Sequence, residues 1–167
     1  MSAFVVSQIL AGLTLMTGMA AFQFRERTHI LRGWCLAASL AAAHFFVLGS
    51  NEAGILVAVT AIRFLVSSLT TDARLMYLFL ALAVGGFALT YQSPVSFLAL
   101  TATFIGTIGS FHGSEKAARF SMMATEILWG IHNLIVWSPV AVLMEVLFFT
   151  SNMVGLLRHR KTSESAL

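Results

Sequence analysis

The chain has 167 residues, 58% of them hydrophobic and 10% charged, with a formal net charge of +3. Soluble domains carry about a quarter charged residues, and a globule of this length cannot hide so much apolar surface, so the composition excludes a water-soluble fold. The basic residues are scattered with no patch interleaved with aromatics, which excludes a nucleic-acid partner and leaves charge as a signal of membrane topology.

Apolar runs over 3–23, 33–49, 53–71, 74–91, 95–112, 118–136 and 139–157 predict seven helices, each close to the roughly 20 residues needed to cross a bilayer. Several are short, so local thinning or snorkelling arginines are expected at their ends. No charge precedes Arg25, and the positive segment of a cleavable signal is lacking, so the first run is expected to stay in the mature protein. Cys35, the single cysteine, falls inside the second run and reads as a small buried hydrophobe. Pro94 and Pro139 sit at or beside the first turn of the fifth and seventh helices, where a missing N–H costs little. The tail over 161–167 is polar and is expected to be flexible and cytoplasmic.

The breaks between runs alternate in charge. Arg25, Arg27 and Arg32, then Arg74, then Lys116 and Arg119, then Arg158, Arg160 and Lys161 fall at every second break. The intervening breaks, Ser50-Asn51-Glu52, Gln92-Ser93-Pro94 and Trp137-Ser138-Pro139, contain no basic residue. Because basic loops are retained in the cytoplasm, the pattern predicts an external N-terminus and a cytoplasmic C-terminus.

The halves are alike at an offset near 88. His44-Phe45-Phe46-Val47-Leu48-Gly49-Ser50 overlies His132-Asn133-Leu134-Ile135-Val136-Trp137-Ser138, and Phe24 before one basic loop matches Phe111 before another. This parses as 3+1+3: a first three-helix unit over 1–72, a linking helix over 73–93 and a second unit over 94–160. An odd linker gives both units the same orientation, a parallel repeat about an axis along the membrane normal.

On His44-Phe45-Phe46-Val47-Leu48-Gly49, Ala61-Ile62-Arg63 and Trp129-Gly130-Ile131-His132-Asn133, the chain resembles the YgjV-type family of bacterial inner-membrane proteins over about residues 5–160. Its 3+1+3 order also looks like that of the SWEET sugar facilitators and the PnuC vitamin transporters. The resemblance implies an all-α, multi-pass transporter fold in the bacterial inner membrane. Two departures stand out. Helix-interior prolines are missing, and the Asn pair of the sugar facilitators is replaced by Asn152 and, within one residue of the offset, Arg63.

Ionisable side chains inside a bilayer cost roughly 2.5–3.5 kcal/mol each and persist where they pair, face a cavity or serve a function. Here they are His44, Arg63, Glu126, His132 and Glu145, with neutral Asn133 and Asn152. At 1.5 Å per residue, Arg63 and Glu126 fall about 15–17 Å from the outer ends of their helices, near the midplane, and the other three ionisable groups fall about 8–9 Å deep. An ion pair between Arg63 and Glu126 is expected, either structural or lining a solute cavity with Asn133, Asn152 and Trp129. His44, His132 and Glu145 form an outer polar cluster suited to hydrogen bonding or proton transfer. They come from separate helices without a ligand motif, so no metal site is expected.

No nucleophile elbow, P-loop or dinucleotide turn occurs, so neither an enzyme nor a cofactor is expected. The leading expectation is a permease or facilitator for a small polar or anionic solute, with alternating access between the two three-helix units. A non-transporting scaffold, sensor or assembly partner with the same fold is the alternative. Membrane lipid is the expected surrounding, and a homo-oligomer is compatible with it.

Overall fold

The computed structural model describes residues 2–91 and 93–164, the side chains of Glu52, Thr90 and 160–164 excepted. Among these residues all regular structure is helical: α1 (Ala3–Ala21), α2 (Arg27–Val47), α3 (Asn51–Leu69), α4 (Ala73–Thr90), α5 (Ser96–Phe111), α6 (Glu115–Ile135) and α7 (Pro139–Glu164). Short polar side chains start several of them by accepting otherwise orphaned backbone N–H groups. Ser2 accepts from Val5, Asp72 from Arg74 and Ser114 from Ala117. Pro139 opens α7, where its missing N–H is not needed.

Three helices are long and apolar enough to cross a membrane, over Ala3–Ala21, Arg27–Val47 and Pro139–His159, while Ala53–Leu69, Ala73–Leu89 and Ser96–Phe111 are shorter apolar helices. Apolar side chains dominate the outside: Phe4, Leu69, Leu89, Trp137 and Val140 are all exposed. That arrangement is costly in water and natural in lipid. Serine and threonine hydroxyls mostly turn back onto their own helices. Thr14, Thr101, Thr103, Thr107 and Thr150 each donate to a carbonyl four residues earlier, so they need no water.

Helix ends differ from the sequence expectation by three residues or more in three places. α2 begins at Arg27, six residues before the apolar run at 33, and α6 begins at Glu115 rather than 118. Charged residues suit a first turn that emerges from the apolar layer, and hydropathy alone cuts them off. α7 continues to Glu164 instead of stopping at 157. Of the tail expected over 161–167, residues 165–167 lie outside the described residues.

The chain divides into two compact units, Met1–Leu69 and Thr70–Leu167. In the first, α2 packs on both α1 and α3. Its core holds Phe22, Ile30, Leu31, Ala37, Ala38 and Phe64, with Trp34 edge-on to Phe22 at 5.2 Å and tilted against Phe64 at 6.0 Å. The Arg27 guanidinium donates to the Ser67 carbonyl in the last turn of α3, where a cation meets unsatisfied carbonyls. In the second unit, α6 packs on α5 and α7, and α4 packs on α5 with Phe79 against Phe111 at 6.0 Å.

The turns that join α2 to α3 and α6 to α7 coincide at the offset of 88. Arg27 and Glu115 begin α2 and α6, and Asn51 and Pro139 begin α3 and α7. Leu48 donates to His44 and Ser50 to Phe45; Val136 donates to His132 and Ser138 to Asn133. Between them, Gly49 and Trp137 both take positive φ, 76° and 56°. Close helix approaches also correspond. A Cβ on Gly33 would come within 2.6 Å of Ala21 Cβ, and a Cβ on Gly109 would collide with the Ser121 side chain. Ala21 and Gly109 are equivalent at this offset, as are Gly33 and Ser121, so the glycine sits on opposite partners in the two units.

Candidate functional site

In the first unit, Arg63 lies two-thirds along α3 and is only 8% exposed. Its guanidinium carbon stands 4.7 Å from the Phe64 ring centroid, a cation–π contact that gains strength away from water. His44, in the last turn of α2, is half-buried, and its Nδ1 lies 2.8 Å from the Ser7 carbonyl of α1. A carbonyl only accepts, so Nδ1 carries the hydrogen in this bond and Nε2 is the remaining ring nitrogen. His44 thus ties α1 to α2.

In the second unit, Glu126 sits mid-way along α6, 5% exposed, and neither carboxylate oxygen has a hydrogen-bond partner among the described residues. One turn later is Gly130, where an added Cβ would lie 3.9 Å from Glu145 Cβ of α7. Glu145 is half-buried, and the two acids lie within electrostatic reach of one another. Above them Trp129 packs edge-on to His132 at 5.2 Å, and His132 Nδ1 lies 3.4 Å from Asn133 Oδ1. Glu126, Gly130 and Asn133 share one stripe of α6 by helical spacing.

Asn152 is fully buried, but its carboxamide is occupied. Oδ1 accepts from Arg119 Nη1 at 3.3 Å and Nδ2 donates to the Arg119 carbonyl at 3.0 Å. Arg119 is the group that sequence reasoning missed. Counted as a cytoplasmic loop charge, it is fully buried in the second turn of α6, with Nε paired to Glu115. The i,i+4 spacing of Glu115 and Arg119 was the available signal; the reach to Asn152, 33 residues away, was not.

The expected lining residues are therefore placed in two sets. Glu126, Trp129, Asn133, His132 and Glu145 gather on α6 and α7, while Asn152 is held by Arg119 lower on the same pair of helices. Arg63 and His44 belong to the first unit, and Glu126, the partner expected for Arg63, belongs to the second. Among the described residues, no three His, Cys, Asp or Glu side chains come together as a metal cluster. What the second unit offers chemically is a buried acid, Glu126, with the half-buried Glu145 in electrostatic reach, and a guanidinium–carboxamide clasp between Arg119 and Asn152.

The Imp-YgjV family, described as bacterial inner membrane protein, matches residues 5–163. The inner membrane protein YgjV of Escherichia coli (strain K12) is 25% identical over 158 residues, covering 95% of this chain and 86% of the relative. No solved structure matches the chain significantly. With apolar helices of crossing length and a family match over nearly its whole length, the chain belongs to the YgjV family of multi-pass bacterial inner-membrane proteins.

Proposed function

We propose that this protein is a small permease or facilitator for a polar or anionic solute. Seven membrane crossings run in 3+1+3 order, with first unit 1–72, linking helix 73–93, second unit 94–160, an external N-terminus and a cytoplasmic C-terminus. The coincident turns of α2–α3 and α6–α7 support an internal parallel repeat of the kind seen in the SWEET and PnuC transporters. The observation that carries the transport reading is Arg63, a guanidinium buried two-thirds along an apolar helix. A charge at such depth marks a solute or ion pathway more often than a packing role.

In this reading Arg63 attracts an anionic or strongly polar group. Trp129 and Asn133 contribute a flat face and an amide to the second unit's lining, and Asn152 supports that lining through Arg119. Native mass spectrometry of the protein released from lipid nanodiscs tests it. Wild type carries a small co-purified solute, and R63Q loses it while keeping its helical content. A wild-type spectrum without bound solute, together with proteoliposomes that move none of a panel of sugars, nucleosides and organic acids, would refute the permease.

A further inference from the structure

Among the described residues of the second unit, Glu126 is the buried side chain whose polar atoms have no hydrogen-bond partner. An ionised carboxylate offers about four acceptor sites, and both oxygens of Glu126 are buried with none filled. The elements packed on α6 provide no compensating cation at this level. α5, over Ser96–Phe111, has no titratable side chain. α7 brings Glu145, a second acid, to the gap at Gly130, and its Arg158 and His159 lie about 20 Å further along the helix. On α6 itself, Arg119 is about 10 Å below and committed to Glu115 and Asn152. His132 stands above, beside Asn133. Two bare carboxylates in such a place repel each other and lack the donors that would replace water.

We propose that Glu126 is a proton-binding site of the second unit, with Glu145 as the neighbouring acid that receives or returns the proton. A bound proton turns one carboxylate into a neutral acid and removes the like-charge conflict with no further ligand. A hard metal cation needs roughly six oxygens, whereas the helix backbone around Glu126 spends its carbonyls on its own hydrogen bonds. Glu145 faces α6 at Gly130, where an added Cβ would stand 3.9 Å from Glu145 Cβ, an ordinary van der Waals contact. Using this proton to drive a solute rests on the permease reading; binding it does not.

Infrared difference spectroscopy of the full chain in lipid nanodiscs tests the proposal. At neutral pH wild type shows the C=O stretch of a dehydrated, protonated carboxyl. E126Q loses that band, E126D displaces it, and E145Q shifts its frequency by changing the neighbour. If no such band appears across the neutral range, if it persists unchanged in E126Q and E126D, or if replacing choline chloride with sodium chloride at fixed pH abolishes it, the proton site is wrong. Should the band be present while no solute moves in proteoliposomes, only the permease reading fails.

Discussion

Gly49 and Trp137, 88 residues apart, close α2 and α6 in the same left-handed conformation, at φ 76° and 56°. Glycine adopts this freely, while a bulky L-residue is strained by about 1–3 kcal/mol. Trp137 is 89% exposed, so no packing in the protein offsets its strain. W137G is expected to raise stability in detergent by about 1 kcal/mol and G49V to lower it by about 1–2 kcal/mol, read as unfolding midpoints by circular dichroism.

The mirrored glycines give a sharper test. G109A places a methyl group against Ser121 and is expected to cost about 1–3 kcal/mol through overpacking. The double variant G109A/S121G recreates the pairing that Ala21 and Gly33 already make in the first unit, and is expected to recover most of the loss. A double-mutant cycle on detergent-solubilised protein measures the coupling. Additive losses would show that the two close approaches are not equivalent.

Arg119 predicts an order of severity. E115A takes the carboxylate away from a buried guanidinium and is expected to cost about 3 kcal/mol. R119M removes the charge and leaves a partly exposed Glu115, so it costs less. R119M/E115Q is expected to lie within about 1 kcal/mol of wild type, since a buried pair adds little over an apolar replacement. Thermal unfolding of the four proteins in one detergent gives the ranking.

The proposed topology places Asn51 and Thr71 on opposite sides of the membrane, at the two ends of α3. In a C35A background, N51C is expected to react with a membrane-impermeant maleimide from outside in intact cells. T71C is expected to react only after the cells are opened. Labelling of both from outside would overturn the seven-crossing arrangement.

Helix order and turns were legible because apolar length and short polar punctuation act locally. The pairs Gly49-Ser50 and Ser138-Pro139 mark where α2 and α6 must end. Helix starts were less legible at Arg27 and Glu115, since a charged first turn looks like loop to a hydropathy count. The buried polar residues of mid-helix were visible from their depth. Their partners were not: the Ser7 carbonyl that holds His44 and the Asn152 amide that holds Arg119 come from other helices, chosen by packing. Arg119 was misjudged because a basic residue near a loop carries topology information and a packing role at once.

Where α1 meets α2 at Ala21 and Gly33, and α5 meets α6 at Gly109 and Ser121, even one methyl group has no room. At these two points the helix surfaces meet in van der Waals contact, with no groove between them. Anything that passes along either bundle must take another side of it. Seams so tight also keep α1 moving with α2 and α5 with α6.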